Sequence, residues 1–250
     1  MNKKNLFALF IFLIGLGLFL YPTISHYVND YSIHKEIEEF QLVSAEPLNP
    51  GEKESLWKDM EEYNDSLIGN ENNAVQDAFT EEVVASNPFY QVEDGEKPIE
   101  AEIDADQTFD VHSSLASSPF YFVIRIPKIN VELPIYMGAS DQNLLKGAAQ
   151  ITGTSLPLGG ANTHSVIAGH RGTLNHRMFL DLNKLGAGDT FEIQTLDGLL
   201  TYRVTGSKVV YPNEVDTLQI KEGKDLVTLV TCLKYPMNYK RLLVYGERVD

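Results

Sequence analysis

The 250-residue sequence predicts a mainly β fold, a closed barrel or sandwich formed by residues 119–250, behind an acidic helical region and an apolar N-terminal helix. Three observations lead there. After Phe120 the chain breaks into short β-branched and aromatic runs: "YFVIRI", "VELPIY", "HSVIAG", "DTFEIQT", "LLTYRVTGSKVVY", "DLVTLVTC" and "RLLVYGERV". Turn signals separate them, among them Gly159-Gly160, Gly186, Asp197-Gly198 and Pro212-Asn213. Only one helical pattern, "SDQNLLKGA", stands among these runs.

The first element in chain order is the apolar one. Lys3 and Lys4 precede an uncharged stretch from Asn5 to Ser25, and a helix over Leu6–Ile24 is just long enough for a hydrocarbon core about 30 Å thick. A cleaved signal peptide has the same basic start. Here Tyr21-Pro22 stands where a small-x-small cleavage site belongs, which favours a retained anchor over residues 1–28. The two lysines predict an N-terminus inside and the remainder outside.

Residues 29–118 form the acidic helical region. Ile33, Ile37, Phe40 and Val43 are spaced by three and four, and Pro47, Pro50 and Gly51 then interrupt the pattern. A second stripe carries Leu56, Met60, Tyr63 and Leu67, with acids on the opposite, solvated face. From residue 80 to 118 periodicity fades, and "EDGEKPIEAEIDADQ" reads as a long exposed loop. Residues 30–120 hold 23 acids against 4 bases, whereas residues 121–250 hold 12 against 14. The net charge of −15 therefore belongs to the first half, and neither half has the basic face of a nucleic-acid binder.

Chemistry points to the last two strands. Cys232 is the only cysteine, so it can form no internal disulfide and lacks companions for a zinc cluster. It stands where a strand meets a loop, held by the sheet yet able to face a cleft; the plainer alternative is a small buried core thiol. Arg241 begins the next strand, nine positions on, and a hairpin-like return brings it beside the cysteine. There it can stabilise a carbonyl oxygen that becomes negative in acyl transfer, or it is an ordinary edge-strand arginine. Of six histidines, His26 and His34 belong to the membrane-proximal part and His112 to the irregular loop. His164, His170 and His176 cluster in "THSVIAGHRGTLNHR". His170, between Gly169 and Arg171-Gly172 at a strand end, comes first of the three on pattern, without excluding the others.

Motif resemblance goes further. "TLVTC" at 228–232 resembles the TLxTC signature of the sortases, cysteine transpeptidases of Gram-positive cell surfaces. "GTSLPLGGANTHSVIAGHRG" at 153–172, "NVELPIYMGAS" at 130–140 and "RLLVYG" at 241–246 are similar to class C, the pilus-assembling branch. The resemblance covers roughly residues 120–250. It implies an eight-stranded β-barrel and a catalytic trio of His170, Cys232 and Arg241. It also implies an LPxTG-like sorting signal on a pilin or other surface protein as acyl donor, a pilin lysine amine as acceptor, and a lipid bilayer around the N-terminal helix. No metal or organic cofactor and no nucleic acid enters that chemistry. A housekeeping sortase, passing its acyl group to a cell-wall precursor, and a non-enzymatic surface adhesin are the alternative readings. Class C relatives commonly carry a lid whose Asp-Pro-aromatic motif plugs the site. The matching candidate here is Asn87-Pro88-Phe89, with asparagine in place of the acid. Many relatives also carry a second hydrophobic segment after the barrel. This sequence stops at Asp250, which leaves either one sufficient anchor or a removed end.

Overall fold

Strand pairing closes a barrel in the order β1-β2-β3-β4-β7-β8-β6-β5. The computed structural model describes residues 3–45, 50–69, 79, 122–172, 177–214 and 216–249. The strands are β1 (Phe122–Ile126), β2 (Val131–Met137), β3 (Ala148–Gln150), β4 (Thr163–Ala168), β5 (Thr190–Gln194), β6 (Leu199–Val210), β7 (Asp225–Cys232) and β8 (Arg241–Arg248). Seven of them fall on the apolar runs of the sequence. The eighth, β3, is three residues long and is defined by its neighbours, parallel to β2 and antiparallel to β4.

The interior is apolar and tightly filled. Phe122, Ile124, Ile126, Phe191, Ile193, Tyr202 and Val244 are all buried. Phe191 and Tyr202 stack with ring centroids 5.5 Å apart. Gly246 of β8 leaves room for that stack, because a Cβ there would lie 2.5 Å from Phe191 Cζ. The helix α3 (Asp141–Lys146) connects β2 to β3, and the Ser140 hydroxyl caps its first turn by accepting from the Asn143 N–H at 3.3 Å.

Two helices precede the barrel. α1 (Lys3–Ala45) runs unbroken through residue 28, so the boundary drawn there by composition is no break in secondary structure. Its stretch Lys3–Tyr21 is long and apolar enough to cross a membrane. Farther along, Ile33 and Ile37 are buried, and His34 Nδ1 lies 3.1 Å from Glu132 of β2, whose other oxygen accepts from Arg125 at 2.7 Å. α1 ends at Ala45, before the Pro47–Gly51 interruption, and α2 (Pro50–Ser66) starts on Pro50. Proline is tolerated in the first helical turn, where its missing N–H has no partner to lose. Leu56, Met60 and Leu67 are buried as the stripe predicts. Asn64 at the end of this stripe acts as a surrogate peptide group: it donates to Leu156 O at 3.1 Å and accepts from Leu156 N at 2.7 Å.

Candidate active site

Register, more than any single contact, assembles the site. β7 and β8 are antiparallel with Cys232 directly opposite Arg241, so both side chains share one face of the sheet. On the other side of β7, β4 runs parallel to it, with Ala168 opposite Val230. The pairing continues past the strand end, where Gly169 N–H donates to Val230 O at 3.0 Å. Two residues beyond Val230 is Cys232 and two beyond Ala168 is His170, so the backbone carries both to the same end of the paired strands, which are spaced about 4.8 Å apart. The structure thus brings together the three residues that the sequence singles out.

Arg241 is not an edge-strand arginine. β8 lies between β7 and β6, and the Arg241 side chain is only 2% exposed. A buried guanidinium requires hydrogen-bond acceptors. Its Nη1 donates to Asn238 O at 3.0 Å and to Lys240 O at 3.4 Å, both on the loop joining β7 to β8. Cys232 is half-buried, neither sealed in the core nor fully exposed. A fixed cation beside a partly accessible thiol is the environment in which cysteines act as nucleophiles.

The histidines separate on environment. His164 is the second residue of β4, 2% exposed, with both ring nitrogens engaged. Nδ1 lies 2.9 Å from Gln219 O and must carry the proton; Nε2, 2.8 Å from Thr228 Oγ1, accepts from the hydroxyl. Burial holds its pKa below the ordinary histidine value, partly opposed by the Gln219 carbonyl. It is a structural residue. His170 lies past the strand end, half-buried. His34 packs at the α1–β2 contact, and His26 lies in α1. His112 and His176 lie outside the described residues.

Two aromatic rings at the site escaped the sequence reading. Phe79 is 2% exposed, with its ring centroid 5.6 Å from that of His170 and 5.4 Å from the Arg241 guanidinium carbon. One phenyl ring therefore touches two of the three site residues. The signal lay in "DAF" at 77–79, which keeps the acid and the aromatic of the lid motif and replaces only its proline. The candidate Asn87-Pro88-Phe89 keeps the proline and loses the acid, and it lies outside the described residues. The second ring is Phe179. A Cβ on Gly169 would lie 2.7 Å from Phe179 Cδ2, and Phe179 N–H donates to His170 O at 3.0 Å. Gly169 is thus required for space beside Phe179, and not for the free backbone turning that its place before His170 suggests.

A barrel that sets a thiol, a guanidinium and an imidazole at the ends of three adjacent strands has the layout of a cysteine-dependent acyl-transfer enzyme. The comparison with known proteins defines the family: the Sortase domain matches residues 124–249, and the chain belongs to the sortase family of cysteine transpeptidases. It is 32% identical over 126 residues to Sortase A of Bacillus anthracis, a match covering 50% of this chain and 58% of that protein. Similarity to solved structures extends farther. The crystal structure of Streptococcus agalactiae Sortase C1 is 30% identical with a TM-score of 0.68, covering 87% of this chain and 95% of that one. Sortase C of Streptococcus pneumoniae, whose structure was described for its catalysis and pilin substrate specificity, is 32% identical with a TM-score of 0.67 over 86% of this chain and 97% of that one.

Proposed function

We propose that this protein is a class C sortase that joins pilin subunits at the outer face of the membrane. The observation that carries the chemistry is the Cys232–Arg241 register pair with His170 two residues past the end of the neighbouring strand. In the first half-reaction the Cys232 thiolate attacks the threonine carbonyl of an LPxTG-like sorting signal. The Thr–Gly bond breaks, His170 protonates the departing glycine amine, and a thioester remains. Arg241 stabilises the oxyanion of the tetrahedral intermediate. In the second half-reaction a lysine amine of another pilin attacks the thioester and gives up its proton to His170. An isopeptide bond forms as the C–S bond breaks. No redox step arises, and every proton is accounted for by His170 and the two amines.

The class C assignment draws on the likeness to Sortase C structures, which includes the helical region before the barrel, and on Phe79 over the site. In this reading Phe79 must withdraw before a sorting signal reaches Cys232. Sequence similarity to Sortase A of Bacillus anthracis favours a second reading, transfer to a cell-wall precursor amine. The purified protein is to be mixed with candidate pilins and the joined products read by mass spectrometry. A Thr–Lys isopeptide bond that disappears in Cys232→Ala is expected; products formed only with cell-wall amines would replace class C by the second reading. The same proposal places α1 in the bilayer with the barrel outside. Protease added to intact cells is then expected to release the barrel, and a mature N-terminus near residue 26 would refute a retained anchor.

A further inference from the structure

Beside the site, beyond Arg241, lies a feature that the reaction as described does not use. Val210, the last residue of β6, pairs with Arg241, and Tyr211 follows it. The Tyr211 ring stacks on that of Tyr239 with centroids 6.2 Å apart. The ammonium of Lys240 sits 4.6 Å from the Tyr211 centroid and 5.8 Å from that of Tyr239. Tyr211 is 47% exposed and Tyr239 is half-buried. An acid completes the setting: Glu214 Oε2 accepts from Tyr211 N–H at 2.7 Å, and Glu214 N–H donates back to Tyr211 O at 3.0 Å.

We propose that the Tyr211–Tyr239 pair is a docking platform for the lysine side chain of the acyl acceptor, occupied in this structure by the protein's own Lys240. This rests on the lysine-acceptor reading above. Stacked phenol rings with a carboxylate on the same turn attract a cation and give its aliphatic stem an apolar surface. Lys240 is evidence that a lysine ammonium fits. The platform is also tied to the chemistry, because Arg241 donates to the backbone carbonyl of Lys240 and Leu233 N–H to the same carbonyl at 3.2 Å. From Val210 to Cys232 is two strand spacings, about 10 Å. That is too far for attack from the platform itself, so the rings serve as a staging position. The acceptor arrives there as an ammonium, displaces Lys240, and is deprotonated only on moving to the thioester beside His170.

The test measures how the thioester is partitioned. A sorting-motif peptide supplies the acyl group, Nα-acetyl-lysine amide is the acceptor, and the ratio of lysine-captured to hydrolysed product is followed against acceptor concentration. Tyr211→Leu and Tyr239→Leu are expected to lower that ratio about two- to fivefold, the scale of an exposed cation–π contact, while the Phe variants retain it. Lys240→Met, which removes the tethered competitor, is expected to raise it at low acceptor concentration by a similar factor. A general disturbance of the site would reduce capture and hydrolysis together and leave the ratio unchanged. An unchanged ratio in both Leu variants, or a lower ratio in Lys240→Met, would overturn the platform. Binding is read separately, from the ring-proton shifts of Tyr211 and Tyr239 during titration with Nα-acetyl-lysine amide. Shifts that saturate at lower concentration in Lys240→Met support the platform even if another amine proves to be the acceptor in turnover. Rings that do not respond in either protein refute it, whatever the acceptor.

Discussion

The strands β4, β7 and β8 have two ends, and each end treats buried polar groups differently. At the end holding Asp225 the described buried polar groups pair with one another. The carboxylate accepts from Tyr202 OH at 3.0 Å and Gly160 N–H at 2.9 Å, and it pairs with Arg248 at 3.5 Å. Burial pushes the Asp225 carboxyl up against these stabilising bonds, and burial followed by the Asp225 charge drives the Tyr202 phenol far above its ordinary range. At the other end the sheet presents a half-buried thiol, a guanidinium held by backbone carbonyls, and an imidazole against a phenyl ring. The same strands thus carry a knot of mutual ionic and hydrogen-bond partners at one end and the proposed site at the other. Stability is expected to be sensitive at the first and turnover at the second.

The largest effects belong to the reactive end. Replacing Cys232 by Ala is expected to abolish thioester formation, and His170→Ala to slow acyl transfer by about 10²–10⁴, the usual contribution of a general acid–base. His164→Gln, six residues back and within β4, serves as the control. Steady-state assays on folded protein decide between them: equal losses in the two histidine variants would end the distinction between a reacting and a structural imidazole.

The matched end predicts the reverse. Asp225→Ala removes the acceptor of Tyr202 OH and Gly160 N–H and the carboxylate that pairs with Arg248, at a cost of about 2–4 kcal/mol. Denaturant unfolding measures that loss, while the protein that remains folded is expected to keep its turnover number. A large fall in turnover with little change in unfolding would show that the two ends are not separable in this way.

Much of this division was legible in the sequence, and what was not has physical reasons. Alternation and β-branching marked seven strands because each has enough residues to show a period. "AAQ" is too short to show one and becomes β3 only through its neighbours. Cys232 and Arg241 stood out because a short connection between two strands fixes their register. The histidines did not, since flanking residues say little about burial; only the fold shows that His164 spends both nitrogens on Gln219 and Thr228. Asn87-Pro88-Phe89 drew attention through its proline and lies outside the described residues; among the described residues the ring over the site is that of Phe79, whose "DAF" lacks that proline. Pro50 illustrates position as well as identity, since a residue that interrupts the first helical pattern is also the first of the next helix.

The smallest expected effect sharpens the comparison within β4 itself. His164 is neutral in the fold because burial lowers its pKa, the Gln219 carbonyl opposes that, and Lys221 adds repulsion. In the unfolded chain the same ring titrates near the ordinary histidine value of about 6.5. Above that pH both states hold the neutral ring, and the fold keeps the full benefit of its two hydrogen bonds. As pH falls below 6.5 the unfolded state gains a proton that the folded state resists, so stability drops until the lower folded pKa is reached. Thermal unfolding of the full chain between pH 7.5 and 5 is therefore expected to show a midpoint that declines more steeply for the wild type than for His164→Gln, which has no ring to titrate. Carboxylates contribute equally to both proteins, so the difference between the two slopes belongs to His164. Parallel slopes would mean that the ring accepts its proton in place, with Thr228 turning its hydroxyl to become an acceptor. His164 would then be as tolerant of charge as a site histidine must be.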